Sequence, residues 1–145
     1  MKVVITSGYF NPLHIGHINL LREAKKLGDI LIVIVNNDEQ VKIKGSFAFM
    51  PQKERAEIIK AIRYVDDVFL SIDKDNSIAE SLRAIAGQNT GELFFAKGGD
   101  RDDSNIPVSE KNICEKFNIK IINGVGGEKI QSSSRLISEV KSKNT

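Results

Sequence analysis

Residues 8–17 read GYFNPLHIGH, and this stretch determines how the rest of the sequence is interpreted. It follows an apolar run at residues 3–6 and precedes residues 17–27, where apolar side chains recur at helical spacing. A strand, a glycine-bearing turn and a helix start form an anion site, because the first N–H groups and the positive end of the helix dipole point outward together. His14 and His17 fall on one face of the first helical turn. Gly16 between them has no side chain to keep a ligand from the backbone. The stretch predicts a phosphate-binding turn.

The totals of the chain restrict the classes of function. Its 145 residues suit a single domain, 1–145, in which we expect the polar residues 141–145 to fray. The net charge of +2 gives no reason to expect a nucleic-acid or membrane partner. Cys114 is the only cysteine in the sequence, which excludes an internal disulfide and a cysteine-based zinc site. Apolar runs are far shorter than a membrane span, and Met1 opens directly into a strand pattern. We expect a cytoplasmic protein.

Strand and helix patterns alternate along the whole chain. Short β-branched or aliphatic runs predict strands, and apolar residues at helical spacing after Pro or Ser predict helices. Predicted strands cover residues 2–6, 30–35, 68–72, 93–96 and 119–122; predicted helices cover 17–27, 77–86, 107–117 and 132–143, with another beginning at Pro51. This alternation predicts an α/β fold, a single Rossmann-like doubly wound domain with a five-stranded parallel sheet and helices on both faces.

Polar, glycine-bearing segments follow the predicted strands at one end. They cover residues 7–17, 36–45, 97–101 and 124–134. In doubly wound sheets, ligands bind beyond the carboxyl ends of the strands, where the strand order reverses. These segments are therefore expected to surround one binding site.

The motif His14-Ile15-Gly16-His17 resembles the HxGH signature of the cytidylyltransferase-like nucleotidyltransferases, and the resemblance extends over most of the chain. Members of that family join a nucleoside triphosphate to a small phosphorylated metabolite and release pyrophosphate, generally with Mg²⁺ held through the nucleotide phosphates. The resemblance implies that His14 and His17 donate N–H bonds to the triphosphate, whose oxygens become more negative in the transition state. It also implies that Lys44, together with Lys42, neutralises phosphate charge from a mobile loop.

Further roles are implied by the same resemblance. Backbone groups of the turn and a second helix start would contact phosphate and ribose, and the loop after the fourth strand would lie near the base. The nucleotide-binding residues implied in this way are Gly8, Tyr9, Phe10, Gly16, Lys42, Gly98, Gly99, Asp100, Lys129, Ser132, Ser133 and Ser134. The substrate-binding residues implied are Asn11, Asp38 and Arg55, and no metal-ligating residue of the protein is implied.

The sequence leaves several alternatives open. Asn11 stands where transferases of polyol phosphates commonly have Asp. The arginine that glycerol-phosphate cytidylyltransferases carry before their closing Ser/Thr motif is absent, and Lys129 or Arg135 is the candidate replacement. Lys97-Gly98-Gly99-Asp100 resembles heptose-phosphate adenylyltransferases, whereas Arg63-Tyr64-Val65-Asp66 resembles glycerol-phosphate cytidylyltransferases. The balance favours ATP over CTP by a small margin. The acceptor, such as a sugar or polyol phosphate, and a homodimeric state are open. The histidines have a structural interpretation, in which one caps the helix and the other packs in the core. A catalytically silent nucleotide-binding module is the alternative function.

Overall fold

Strands and helices alternate through the part of the chain that the structure, a computed structural model, describes, residues 1–98 and 106–126. The strands are β1 (Lys2–Gly8), β2 (Ile30–Val35), β3 (Asp67–Leu70), β4 (Glu92–Gly98) and β5 (Ile119–Val125). The helices are α1 (Ile15–Lys26), α2 (Asp38–Ile43), α3 (Gln52–Lys60), α4 (Ala79–Gln88) and α5 (Val108–Lys116). The predicted helix at 132–143 and the tail at 141–145 lie outside the described residues.

All neighbouring strands pair in parallel, in the order β3-β2-β1-β4-β5. The chain first builds outward from β1 through β2 to β3, and then returns to the other side of β1 for β4 and β5. The strand order therefore reverses between β1 and β4, which confirms the predicted doubly wound α/β fold with its five-stranded parallel sheet.

The two faces of the sheet carry separate hydrophobic cores. Successive strand residues point to opposite faces, so in β2 Ile32 and Ile34 enter one core while Leu31 and Val33 enter the other. One core is completed by buried side chains of α4 and α5, including Leu82, Ile85 and Cys114. The other is completed by α1 and α3, through Leu21, Ala24 and Ile59. A strand covered on both faces needs apolar residues at every position, which explains the unbroken aliphatic run of β2.

Two interpretations of individual core residues are confirmed. Phe95 is fully buried in mid-strand, and Phe94 packs against the core of α1 and α3. Cys114 is buried, and burial, with a contribution from the nearby Glu110 carboxylate, raises the pKa of its thiol to about 11. The thiol therefore stays protonated and unreactive at neutral pH.

The connection after β2 differs from the sequence prediction. Residues 36–45 were expected to form a loop, but α2 occupies Asp38–Ile43. Asn37 begins this helix with a capping box: its side chain accepts the Gln40 N–H, and the Gln40 side chain accepts the Asn37 N–H. Lys42 therefore lies in a helix and Lys44 at its C-cap, which corrects the expectation of a lysine-bearing loop.

The longest helix in the described part of the chain is α1, with 12 residues. No helix in that part is long and apolar enough to span a membrane.

Candidate functional site

β1 and β4 stop pairing before either strand ends. Their parallel register ends at Ile5 and Phe95, and beyond it the buried Thr6 hydroxyl donates to the Ala96 carbonyl at 2.9 Å. On the other side, β1 remains paired with β2 as far as Gly8 and Val35. The turn after β1 therefore emerges beside the reversal of strand order, the place where doubly wound sheets bind ligands.

The two histidines of this turn hold the start of α1 together. His14 is the N-cap, and its Nδ1 atom accepts the Gly16 N–H at 3.1 Å. The His17 Nδ1 atom accepts the His14 N–H at 3.0 Å, which completes a capping box built from imidazoles. The ring centroids lie 3.9 Å apart with an interplanar angle of 32°. The structural interpretation of His14 as a helix cap is thus confirmed.

Capping also sets the chemistry of both rings. A neutral imidazole whose Nδ1 atom accepts a hydrogen bond carries its proton on Nε2. Both Nε2 atoms are therefore N–H donors, the form that hydrogen-bonds to a phosphate oxygen. The backbone contributes less than expected, because the Gly16 N–H is taken by His14 and the His17 N–H donates to the His14 carbonyl at 3.0 Å. Gly16 thus serves the cap, and an anion at this turn would be met by the imidazole rings rather than by the N–H groups of Gly16 and His17.

The Phe10 ring packs between Gly8 and the His17 ring. Phe10 is 1% exposed and has a left-handed backbone with φ 50°. Its ring crosses Gly8 so closely that a Cβ atom there would lie 2.8 Å from Phe10 Cζ, and its edge meets the His17 ring at a centroid distance of 5.0 Å. The Gly8 carbonyl already accepts the Asn36 N–H. Phe10 is therefore a packed support for His17 rather than a surface residue.

The two lysines predicted for phosphate binding differ in their surroundings. The Lys44 ammonium lies 4.3 Å from the centroid of the Tyr9 ring, a cation–π contact that holds it against the turn. Lys42 pairs with Glu39 at 3.5 Å on the outer side of α2, where both side chains are largely exposed. The structure thus brings Lys44, but not Lys42, against the histidine-bearing turn.

Arg55 lies beneath the site and is 0% exposed. Its guanidinium donates to the carbonyls of Tyr9 at 2.8 Å, Asn36 at 2.6 Å and Met50 at 2.9 Å, and pairs with the Asp38 carboxylate at 2.7 Å. Asp38 also accepts the N–H of Gln52, which begins α3. The expectation that Arg55 contacts substrate is corrected, because its guanidinium is buried among acceptors of the protein itself. Arg55 instead joins the turn after β1, the end of β2 and the segment before α3. Asp38 shares that work, with about a third of its side chain exposed.

Asn11 fixes a second segment to the histidine turn. Its Nδ2 atom donates to the Phe47 carbonyl at 2.8 Å, and its Oδ1 atom accepts the N–H groups of Phe49 at 2.8 Å and Met50 at 3.4 Å. The predicted substrate residue thus has an architectural use in this structure. Sequence reasoning missed the segment it holds, although Phe-Ala-Phe at residues 47–49 is an unusually aromatic run for a polar connection.

The remaining predicted residues are placed only in part. Gly98 ends β4 at the carboxyl edge of the sheet, where a Cβ atom would meet no atom of the described residues within 4 Å. The other residues of the β4 loop and of the closing segment lie outside the described residues. They are Gly99, Asp100, Lys129, Ser132, Ser133 and Ser134.

Known proteins resemble this chain over different lengths. An FAD synthase from Pyrococcus abyssi is 54% identical over 68 residues, 46% of each chain. A bifunctional HldE protein from Desulfatibacillum aliphaticivorans is 33% identical over 142 residues, 97% of this chain and 27% of the relative. These matches cover less than half the length of either relative. A crystal structure described as a lipopolysaccharide core biosynthesis protein from Thermoplasma volcanium aligns with a TM-score of 0.68 and 26% identity, covering 85% of this chain and 95% of that one.

The family comparison agrees with the geometry of the turn. The cytidylyltransferase-like family model matches residues 5–134, from the middle of β1 to beyond β5, and includes both capping histidines. The chain therefore belongs to the cytidylyltransferase-like family of nucleotidyltransferases.

Proposed function

We propose that this chain transfers a nucleoside monophosphate from a triphosphate, ATP rather than CTP, to a small phosphorylated acceptor. The observation that carries the proposal is the imidazole capping box, in which both Nδ1 atoms accept backbone N–H groups, so that both rings carry their proton on Nε2. Such donors stabilise negative charge on phosphate oxygens without gaining or losing a proton. They lie at the reversal of strand order, where a nucleotide fits the fold.

The reaction needs positioning and charge stabilisation rather than a covalent enzyme intermediate. A phosphate oxygen of the acceptor attacks the α-phosphorus, a new P–O–P linkage forms, and the bond to the departing pyrophosphate breaks. Negative charge grows on the pyrophosphate, and His14 and His17 would stabilise it by hydrogen bonds that strengthen as the charge develops. Lys44 would leave the Tyr9 ring to neutralise further phosphate charge.

Mg²⁺ would enter with the nucleotide and lower the charge repulsion between the phosphates. The Asp38 carboxylate, at the start of α2, already accepts hydrogen bonds from Arg55 and from the Gln52 N–H. We therefore propose that phosphate oxygens, rather than this carboxylate, hold the ion. The protein's part is to orient the phosphates through the histidines and Lys44.

The preference for ATP is supported by the names of the relatives. FAD contains an adenylate group, so an FAD synthase needs an adenylate donor, and ATP is the triphosphate that supplies one. The similarity to HldE, which covers almost the whole chain, is consistent with a sugar phosphate as an alternative acceptor. Flavin phosphate and sugar or polyol phosphate are thus the acceptor classes to compare.

Pyrophosphate release tests the proposal directly. The purified chain would be incubated with Mg²⁺, with ATP or CTP, and with flavin mononucleotide, glycerol phosphate or a sugar phosphate. We expect release with ATP and one acceptor class, and a marked loss of activity in His17→Gln. Thermal stabilisation by ATP without turnover for any pair would favour the silent nucleotide-binding module instead. Faster turnover with CTP would overturn the preference for ATP.

A further inference from the structure

Two phenylalanines lie exposed on the connection between α2 and α3. Phe47 is 64% exposed and Phe49 is 62% exposed, and their ring centroids are 4.4 Å apart at an interplanar angle of 49°. We call them the aromatic pair. Neither ring contributes to the two hydrophobic cores. Adjacent exposed apolar rings are candidates for a binding surface, because water is displaced from them when a ligand covers them.

The aromatic pair is tied to the phosphate end of the site. The hydrogen bonds of Asn11 hold the backbone of both ring-bearing residues, at the Phe47 carbonyl and the Phe49 N–H. Asn11 lies three positions before His14 in the same turn. One side chain thus links the rings to the imidazole capping box, so the pair belongs to the candidate site.

The charges beside the aromatic pair indicate what it would hold. Lys44 lies three positions before Phe47, and its ammonium rests against Tyr9 on the histidine turn. A ligand that uses both features carries an anion at one end and a planar apolar ring at the other. A phosphate ester of a heteroaromatic compound has this form, whereas sugar and polyol phosphates have no π face to stack on phenylalanine.

The topology separates this surface from the β4 side of the site. The aromatic pair lies on the connection that follows β2 and α2, whereas the loop proposed for the nucleotide base follows β4. β2 and β4 lie on opposite sides of β1. Resting on the proposed function, we propose that Phe47 and Phe49 stack on the ring of the acceptor. The acceptor is then a phosphate ester that bears a planar heteroaromatic ring, of the flavin mononucleotide class.

The test measures flavin mononucleotide binding by its fluorescence, with and without Mg²⁺ and ATP, together with KM values for both substrates. The double variant F47L/F49L keeps apolar volume but removes the rings, and F47Y/F49Y restores them. We expect F47L/F49L to raise Kd and KM for flavin mononucleotide by about 5- to 100-fold, the range of aromatic stacking on one base. The KM for ATP should stay unchanged, and F47Y/F49Y should behave as the wild type. Ile58→Ala, which trims a partly exposed apolar side chain on α3, is the matched control.

Each contrary result has a separate meaning. Equal binding of flavin mononucleotide by F47L/F49L and the wild type overturns the inference, as does a rise confined to the KM for ATP, which would assign the rings to the nucleotide base. Transfer to a sugar or polyol phosphate but not to flavin mononucleotide overturns the inference and leaves the proposed function intact. If no acceptor reacts, the proposed function fails, and the fluorescence titration of F47L/F49L still decides whether the aromatic pair binds the flavin ring.

Discussion

The His17 Nδ1 atom accepts the His14 N–H at 3.0 Å, so the second histidine of the motif helps to hold the backbone of the first. An observed structural role and the proposed catalytic role therefore fall on the same rings. The Nδ1 atoms serve the helix, and the protonated Nε2 atoms are the donors that we propose for phosphate. Substitution by alanine would remove both functions together, so other substitutions are needed to separate them.

Asn at position 14 and Gln at position 17 separate the two roles. Both residues suit their capping positions, so H14N and H17Q should retain the capping box and lose at most about 1 kcal/mol of unfolding free energy. Neither offers an imidazole donor, and we expect kcat to fall by about 10²–10⁴-fold in each. Urea unfolding and steady-state kinetics would be measured on the same samples. Normal turnover by H17Q would leave His17 with a capping role only.

Arg55 should matter for stability more than any exposed arginine does. R55M removes a buried guanidinium and leaves the carbonyls of Tyr9 and Asn36 without their donor, and also leaves the Asp38 carboxylate without its partner. Loss of one partner of a buried ion pair typically costs about 3–5 kcal/mol, and the partial exposure of Asp38 points to the lower end. Urea unfolding of R55M would be compared with R63M, which changes an exposed arginine. Equal stability of the two variants would contradict the role assigned to Arg55.

The contact between Lys44 and Tyr9 predicts a graded effect on catalysis. K44A removes a phosphate-neutralising charge, and we expect kcat/KM to fall by about 10²–10³-fold. Y9L removes the hydroxyl together with the aromatic face that holds the ammonium. That face is worth about 0.5–1 kcal/mol at an exposed site, so kcat/KM of Y9L should fall by about two- to fivefold relative to Y9F, which lacks only the hydroxyl. Y9F keeps the ring and should retain activity. If Y9F and Y9L are equally impaired, the cation–π contact does not position Lys44.

Short-range patterns sufficed for the fold and for the histidine turn. The aliphatic run of β2 is a local feature that correctly predicted a strand covered on both faces. The spacing of His14 and His17 is also local and correctly placed both residues at a helix start, whereas their role toward phosphate stays a prediction. The uses of Arg55 and Asn11 could not be found in this way, because their partners lie 46 and 36 residues away along the chain and meet them only in the folded sheet. Asn37 and Gln40 have the spacing of a capping box, which predicts a helix start at α2. The resemblance of residues 36–45 to a loop of the nucleotidyltransferases favoured a loop there instead.

Asp66 gives the fold a dependence on acid that is separate from the site. It precedes β3 and accepts hydrogen bonds from Lys25 at 2.5 Å and from the Leu31 N–H at 2.8 Å. Burial would raise the pKa of this carboxyl, but the bonds from Lys25 and Leu31 outweigh it and hold the pKa below its ordinary value. As the pH falls, the Asp66 carboxyl of the unfolded chain is therefore protonated before that of the folded protein. The contribution of Asp66 to folding stability is complete above the unfolded pKa of about 4 and is lost as the pH falls through the folded pKa.

Urea unfolding between pH 7 and pH 3 checks this dependence. Wild type should exceed D66N in stability at pH 7, and the difference should shrink as the pH falls below about 4, because both proteins then carry a neutral group at position 66. At pH 7 the free energy of unfolding of K25M should exceed that of D66N by less than the wild type does, since the Lys25 hydrogen bond is one source of the lowered Asp66 pKa. Transfer activity at pH 7 should be retained in D66N. Residue 66 directly precedes β3, at the amino ends of the parallel strands, whereas the histidine turn follows the carboxyl end of β1. A stability difference that stays constant from pH 7 to pH 3 would show that the Asp66 carboxylate does not acquire its stabilising charge on folding.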